Sequence, residues 1–295
     1  MTSLLLRADS GPSIGVGHVV RCLAFAEEAV ARGWQVRFDG AVSGWARAAF
    51  DELGVEVAPG PLAADVVLVD HYSLGALNVD GLLVSIEDGP FGRRRADVVV
   101  DCGLAAVERP DDGSGRVLLG PRYAPLRKSV VRARESRTPS NEIVVVLGGT
   151  APTRPLTTIM RAAASTGAPV RAITSADISV PGVEVEPPRT DLPSVLAGAG
   201  LVVSAAGVTL LELCCIGVPT ALVLLADNQA MGYRAAIEHG AAVGLGAADA
   251  LDQAAVAAVL AGLLADDRRR ADLAASAATL VDGRGAARVL DATTG

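Results

Sequence analysis

The sequence predicts an α/β protein built from two doubly wound parallel sheets. Three observations support this: the chain length, the composition, and the alternation of strand-sized apolar runs with helix-like segments. The 295 residues suggest about two domains of about 150 residues each. Hydrophobic residues make up 51% and charged residues 20% of the chain, which is enough for buried cores. Continuous apolar strands that alternate with helices are typical of parallel sheets covered on both faces.

The first half of the chain contains apolar runs that end in polar or acidic side chains. We expect strands at 2–7, 34–40, 64–72, 82–90 and 96–103, and helices at 18–32 and 43–54. Ligands of parallel sheets bind beyond the carboxyl ends of the strands. The residues expected to share this edge are Gly15, Gly17, His18, Asp70, His71, Tyr72, Glu87 and Asp88.

Residues 120–140 interrupt this pattern because they are basic and contain proline and serine. We expect one short helical turn here and a linker over about 133–140, which divides the chain into domains 1–138 and 139–295. The α/β pattern then restarts, which predicts a pair of Rossmann-like domains facing a cleft. The last helix is free to pack back on the N-terminal domain, and the small-residue helices fit either a monomer or a homodimer.

The stretch RADSGPSIGVGHVVRC, residues 7–22, places a glycine-rich turn between a strand and a helix. Such a turn directs backbone N–H groups and a helix N-terminus at an anion, so Gly15 and Gly17 are candidate ligand contacts. His18 ends the turn, and its imidazole can accept a proton near pH 7. Two alternatives remain open: the glycines can serve only the turn itself, and a lone histidine is more often structural than catalytic.

The stretch SAAGVTLLELCCIGVP, residues 204–219, repeats this arrangement in the second half. Gly207 permits a close backbone approach, and Thr209 lies near the N-cap of the following helix. Glu212 can accept hydrogen bonds from a ribose diol, or it can be a carboxylate that the helix dipole favours. The segment GGT, residues 148–150, offers a further set of free N–H groups.

Composition and charge exclude several classes of function. A net charge of −7 without a basic run argues against a nucleic-acid surface, and 3% aromatic residues argue against a stacking platform. The four cysteines form no CxxC pair, so we expect reduced thiols and no metal site. No signal peptide or apolar run of about 20 residues is visible, so we expect a cytoplasmic protein without integral membrane contact.

Eight segments in order resemble the PseG/SpsG family, which comprises UDP-sugar hydrolases of pseudaminic acid biosynthesis and spore-coat polysaccharide proteins. They are RADSGPSIGVGHVVRC, VLVDHY, IEDGP, LGPRYAPLR, VVVLGGT, SAAGVTLLEL, LADNQ and VDGRGAARV, and they span nearly the full length. The stretch from residue 204 to residue 229 also resembles the donor-nucleotide segment of MurG-type glycosyltransferases. One departure is SAAGVT, where many relatives have a serine-rich phosphate loop.

The resemblance implies a GT-B-like fold in which the C-terminal domain holds most of the UDP. It also implies that His18, Tyr72 and Asn228 line the reacting centre. The nucleotide contacts it implies are Gly148, Gly149, Thr150, Ala206, Gly207, Val208, Thr209, Glu212 and Gln229. No cofactor or metal is expected, because UDP is part of the substrate.

These observations predict hydrolysis of a UDP-activated amino or deoxy sugar, with inversion at the anomeric carbon. His18 is expected to deprotonate the attacking water, while Asp70, His71 or Tyr72 orients that water or bonds the sugar. The alternative is a GT-B glycosyltransferase that passes the sugar to an acceptor hydroxyl. A nucleotide-sugar-binding protein without catalysis is a third interpretation. A dehydrogenase fits less well, because GVGH lacks the third glycine of GxGxxG, although Asp39 lies about 20 residues on.

Overall fold

The fold is described from a computed structural model, which covers residues 1–11, 14–42, 44–149 and 151–294. The chain forms two compact units. The first contains residues 1–128 together with 282–295, and the second contains residues 129–281.

The first unit contains a parallel sheet of seven strands in the order β3-β2-β1-β4-β5-β6-β7. The strands are β1 (Ser3–Arg7), β2 (Gln35–Asp39), β3 (Glu56–Val57), β4 (Ala63–Asp70), β5 (Asp80–Glu87), β6 (Val98–Asp101) and β7 (Arg116–Leu119). The direction of the strand order reverses between β1 and β4, which pair directly. This reversal is the topological switch point, where open α/β sheets bind their ligands.

The second unit contains a parallel sheet of six strands in the order β10-β9-β8-β11-β12-β13. The strands are β8 (Ile143–Val146), β9 (Val170–Ile173), β10 (Glu184–Glu186), β11 (Leu201–Ala205), β12 (Thr220–Leu224) and β13 (Val243–Ala247). Counted from their own first strands, both sheets follow the order 3-2-1-4-5-6, which is the Rossmann order. The second switch point therefore lies between β8 and β11.

The helices, in chain order, are α1 (Gly17–Ala31), α2 (Gly44–Glu52), α3 (Lys128–Glu135), α4 (Thr153–Ala164), α5 (Leu192–Gly198), α6 (Val208–Ile216), α7 (Ala230–Glu238), α8 (Gln253–Ala265), α9 (Asp267–Leu280) and α10 (Gly285–Asp291). Short 3₁₀ turns cover Pro121–Tyr123, Asp227–Gln229 and Ala248–Ala250. Helix α10 belongs to the first unit. It approaches the 3₁₀ turn so closely that a Cβ on Gly285 would lie 2.1 Å from the carbonyl oxygen of Ala124.

The expected alternation of strands and helices is wrong for the second half of the first sheet. The connections 71–79, 88–97 and 102–115, whose residues are all described, contain no helix. The first of them covers the sheet itself, because Leu74, Leu77 and Val79 pack on a core cluster that includes Val67 and Val99. The apolar side chains of the loop thus replace a crossover helix.

The boundaries near residue 130 also differ from expectation. The predicted single turn is a helix, α3, which overlaps the expected linker and buries Val130 and Ala133. The sequence analysis missed strands β3, β7, β10 and β13 as well. Each of the four is short or carries glycine or charged residues, so none of them shows a long apolar run.

Candidate active site

The switch point of the first unit is formed by the glycine turn after β1, the start of α1 and the end of β4. Gly15 has φ 79° and donates its N–H to the Gly11 carbonyl oxygen at 2.8 Å, so the turn needs a residue without a side chain here. Gly17 is the first residue of α1. His18 follows it and therefore lies at the helix opening, as the sequence predicts.

His18 forms a buried pair with Asp70, the last residue of β4. The Nδ1 atom of His18 lies 2.6 Å from Oδ1 of Asp70, and the two residues are 6% and 0% exposed. Because an ionised carboxylate only accepts hydrogen bonds, Nδ1 carries the proton and donates it to Asp70. In a neutral ring with this tautomer, the Nε2 atom holds the lone pair, which is the arrangement required of a general base.

Arg21 lies one helical turn after His18 and contacts the same carboxylate. Its Nε and Nη2 atoms donate to the two oxygens of Asp70 at 2.6 and 2.8 Å. Burial alone would raise the pKa of Asp70, but the charge of Arg21 and the hydrogen bonds from His18 and Arg21 outweigh it and hold that pKa below its usual value. Asp70 is therefore ionised at neutral pH.

Tyr72 approaches His18 from the loop after β4. The two rings meet edge to face with their centroids 4.4 Å apart. The Tyr72 hydroxyl donates to Oδ2 of Asp88, a residue just beyond β5. Burial and the negative charge of Asp88 raise the pKa of Tyr72 well above its usual value, so the hydroxyl stays protonated.

His71 lies at the same edge but has a structural role. Its Nε2 atom lies 3.0 Å from Oδ2 of Asp9, while Nδ1 accepts the N–H groups of Ser73 and Leu74 at 3.0 and 3.2 Å. Burial lowers the pKa of His71, and this effect exceeds the opposing one of Asp9. With both ring nitrogens engaged, His71 is not placed to orient water or bond a sugar, which corrects the expectation for this residue.

Glu87 ends β5 and is 1% exposed. Its Oε2 atom lies 3.4 Å from Nη1 of Arg109, which also pairs with Asp112 at 2.6 Å. Burial raises the pKa of Glu87 to about 7, against the lowering effect of Arg109 and Arg93. This carboxyl group is therefore half protonated near neutral pH.

The raised pKa of Glu87 predicts a pH-dependent effect of Glu87→Gln on stability. A carboxyl whose pKa is raised in the folded protein supports the fold when protonated, and this support is lost as pH rises from the ordinary pKa of 4.5 to about 7. Glutamine resembles the protonated form. We therefore expect no stability difference from the wild type near pH 4.5 and a gain of about 2–3 kcal/mol at pH 8.

Tryptophan fluorescence during urea unfolding measures this effect, because both tryptophans, Trp34 and Trp45, belong to the first unit. A destabilisation of equal size at pH 5 and pH 8 would show instead that Glu87 acts as an ionised partner of Arg109.

The switch point of the second unit brings together the glycine-containing ends of two adjacent strands. Gly148 and Gly149 follow β8, and Gly148 adopts φ 89°. Ala206 and Gly207 follow β11, and the Ser204 hydroxyl donates to the Val146 carbonyl oxygen at 2.9 Å, which ties these two strand ends together. The N–H groups of two glycine-containing strand ends are thus brought to one edge of the sheet.

Helix α6 begins at this edge. Gly207 is its N-cap and makes no side-chain cap, while Val208 and Thr209 are its first two residues. Glu212 lies in the next turn and is 3% exposed. Thr209 thus lies near the N-cap, as expected, and the N-cap itself is Gly207, whose φ of −97° and ψ of −155° are typical of that position.

The LADNQ segment also lies at this edge of the sheet, after β12. Gln229 accepts the N–H of Leu225 at 3.3 Å through its Oε1 atom, and its Nε2 atom lies 3.9 Å from the position of a Cβ on Gly207. Asn228 is exposed in the 3₁₀ turn. Thr150, which the resemblance assigns to the nucleotide, lies outside the described residues.

The structure thus divides the expected site residues between two switch points. His18 and Tyr72 meet in the first unit, and Asn228, Gln229 and Gly207 lie at one edge of the second. The sequence analysis missed Arg21, which shares a helix face with His18 at a spacing of three residues. That spacing was the available signal. Within the described ranges, no three His, Cys, Asp or Glu side chains are grouped as metal ligands.

Comparisons with known proteins identify the fold. No protein-family model matches the sequence, and no curated protein matches it. MurG of Acinetobacter baumannii is 15% identical, with a TM-score of 0.63 and 99% of each chain covered. The spinosyn rhamnosyltransferase SpnG, complexed with thymidine diphosphate, is 14% identical with a TM-score of 0.63, and the match covers 99% of this chain and 100% of SpnG.

A plant structure matches equally well. Arabidopsis thaliana UGT89C1, complexed with UDP, is 11% identical with a TM-score of 0.66, and the match covers 99% of this chain and 100% of that one. Together with the two parallel sheets, these matches show that the chain has the fold of GT-B glycosyltransferases. This confirms the fold class expected from the sequence. Among the described residues, no helix is long and apolar enough to cross a membrane.

Proposed function

We propose that the protein is an enzyme that cleaves a nucleotide-activated sugar at its anomeric carbon and passes the sugar to an acceptor hydroxyl. The observation that carries this proposal is the buried His18–Asp70 pair at a switch point. Solved structures of similar fold include the rhamnosyltransferase SpnG complexed with thymidine diphosphate and UGT89C1 complexed with UDP. That likeness favours an acceptor hydroxyl as the nucleophile.

The proposed reaction begins with proton removal by His18. The hydrogen bond of Nδ1 to Asp70 leaves Nε2 to accept the proton of the attacking hydroxyl, a contribution of typically about 10²–10⁴-fold. The ionised Asp70 stabilises the imidazolium that forms. The bond from the anomeric carbon to the diphosphate oxygen breaks as the new C–O bond forms, which inverts the anomeric centre.

The leaving nucleoside diphosphate is assigned to the edge of the second sheet. The N–H groups after β8 and at the start of α6 are suited to an anion, and a helix N-terminus adds about 0.3–1 kcal/mol. Following the sequence resemblance, Glu212 is proposed to bind the ribose and Asn228 to contact the sugar. The proposed chemistry uses no metal and no organic cofactor.

Hydrolysis is the second candidate, and the ordered PseG/SpsG-like segments favour it. His18, Tyr72 and Asn228, the residues that this resemblance places at the reacting centre, are all present. In this reaction water replaces the acceptor hydroxyl, while the base and the leaving group stay the same. The sugar would be an amino or deoxy sugar carried by UDP.

A single experiment separates these candidates. The purified protein is incubated with a panel of UDP- and TDP-sugars, including UDP-2,4-diacetamido-2,4,6-trideoxyhexoses, with and without a mixture of acceptor alcohols. Nucleotide release that depends on the acceptor and yields a glycoside supports transfer. Release of nucleotide and free sugar without an acceptor assigns hydrolysis. Tight nucleotide binding with no release under either condition would identify a binding protein and overturn the proposal.

The nucleotide assignment predicts that Gly207→Asp weakens nucleotide binding and leaves the stability of the protein unchanged. A Cβ here meets only Gln229, at an ordinary contact distance of 3.9 Å. Aspartate is a favourable N-cap, so the protein is expected to stay as stable as the wild type. Its charge repels a diphosphate, however, and we expect UDP or TDP affinity to fall about ten- to hundredfold.

Gly207→Ser is the matched control, because serine is also a good N-cap but carries no charge. Isothermal titration calorimetry measures the affinity and a thermal melt measures the stability. Equal affinity of the serine and aspartate variants would place the diphosphate elsewhere.

A further inference from the structure

Arg21 binds two carboxylates of the first switch point, those of Asp70 and Asp88, which come from different strand ends. Its side chain is 4% exposed, and it donates through Nε and Nη2 to Asp70. Its Nη1 atom lies 2.9 and 3.0 Å from the two oxygens of Asp88. One guanidinium group is therefore shared between the carboxylate at the end of β4 and the carboxylate just after β5.

Each of these carboxylates holds one of the side chains expected at the reacting centre. Asp70 accepts from Nδ1 of His18, and Asp88 accepts from the hydroxyl of Tyr72. The rings of His18 and Tyr72 also touch each other. The five residues form a closed ring of contacts, and Nη2 of Arg21 also lies 3.1 Å from Nδ1 of His18.

The shape of the guanidinium matters to this arrangement. Arginine presents its donors in a rigid planar fork, so it can bind two carboxylates along two edges at once. A lysine ammonium is a single point charge on a flexible stem. It can neutralise one carboxylate but cannot fix the direction of both.

Charge also requires a cation at this place. Asp70 is fully buried and Asp88 has a side chain that is 25% exposed. Two neighbouring carboxylates without a shared cation repel each other, and desolvation then favours protonation of the buried one. A protonated Asp70 can donate a hydrogen bond as well as accept one, so it no longer requires the N–H of His18 at this position, and the orientation of the imidazole is lost.

We propose that Arg21 is a positioning residue that holds Asp70 and Asp88 together and thereby fixes His18 and Tyr72 relative to each other. The inference rests on the proposed function for its effect on turnover, but its structural content is independent of that function. Arg21 itself touches neither the nucleotide nor the sugar in this proposal.

The direct test measures the tautomer of His18 by ¹⁵N-histidine NMR, which is practical because the chain has only three histidines. In the wild type we expect His18 to be protonated at Nδ1. In Arg21→Gln and in Arg21→Lys we expect a mixture of tautomers, while the spectra of His71 and His239 stay unchanged. Arg32→Gln is the matched control, because Arg32 follows the same helix and pairs with Glu28 and Asp291 instead.

Turnover supplies the second readout. We expect Arg21→Gln and Arg21→Lys to lower kcat about 10²-fold with little change in KM, and Arg32→Gln to keep the wild-type kcat. A wild-type tautomer and a kcat within twofold of wild type in folded Arg21→Lys would overturn the proposal. If the wild type turns over no nucleotide-sugar, the proposed function fails, and the NMR result still decides the role of Arg21.

Asp88→Asn tests the contact between Asp88 and Tyr72 without replacing Arg21. The variant removes the charge that helps to raise the pKa of Tyr72, so one of the three tyrosines should ionise at lower pH in an absorbance titration. His18 should keep its tautomer, because its partner Asp70 is untouched. Unchanged tyrosine titration in this variant would show that Asp88 does not hold Tyr72 and would overturn the shared role of Arg21, even if the Arg21 variants fail to fold.

Discussion

Replacement of His18 by glutamine is expected to lower kcat about 10³-fold, within the range typical of a lost general base. Glutamine has a similar size and can still donate to Asp70, so the buried side of the site keeps its packing. It offers no group that takes a proton near neutral pH. Steady-state nucleotide release with saturating sugar donor measures the effect.

Affinity for UDP or TDP should survive in His18→Gln, because the groups assigned to the nucleotide belong to the second unit. His239→Gln is the matched control, since His239 is exposed after α7 and lies in that unit. Its kcat should equal that of the wild type. A His18→Gln variant with more than half of the wild-type kcat would exclude His18 as the base.

Asp70→Asn is expected to have the second-largest effect, a fall in kcat of about 10²–10³-fold. Asparagine has one acceptor oxygen in place of two. In the orientation that keeps the hydrogen bond from Nε of Arg21, its NH₂ group faces Nδ1 of His18 as well as Nη2 of Arg21. That NH₂ group is a donor, so Nδ1 must become the acceptor and the proton moves to Nε2. The nitrogen that should accept the substrate proton is then blocked.

The same ¹⁵N-histidine NMR measurement detects this exchange of tautomers directly. The pH dependence of stability provides a control, because the direction in which Asp70→Asn changes it can be predicted. The pKa of Asp70 is lowered in the folded protein, so its charge supports the fold above the ordinary carboxyl pKa of 3.8, and this support is lost as pH falls below it. Acid unfolding, followed by the fluorescence of Trp34 and Trp45, should therefore be less steep in Asp70→Asn. An unchanged kcat together with a shifted tautomer would show that His18 is not the general base.

Much of the first switch point could be predicted from the sequence. His18 follows a glycine turn after β1, and Asp70 and Tyr72 follow the apolar run of β4. Parallel strands end at one edge, so strand ends with polar residues imply a shared site before any contact is known. In the second unit the same logic places Gly148 and Gly207 together, and the structure shows both at the ends of adjacent strands.

The connections in the second half of the first sheet could be predicted less well. The sequence predicts a general alternation of strands and helices, because parallel strands usually need a helical crossover. The loop at 71–79 instead buries Leu74 and Leu77 against the sheet. Short apolar segments of this kind do not reveal by period alone whether they cover a sheet as a helix or as a loop.

The sequence by itself determined the two-sheet α/β architecture and the edge at which the site lies, because strand period and strand-end chemistry are local properties of the chain. Only the tertiary structure decided how His18 and His71 differ. His18 and His71 look alike in sequence, yet Asp9 and two backbone N–H groups occupy both nitrogens of His71, whereas Asp70 engages only Nδ1 of His18. Arg21 and its two carboxylates lie 49 and 67 residues apart in the chain. Hydrogen bonds over such separations exist only once the strands have paired, so no local pattern could specify them.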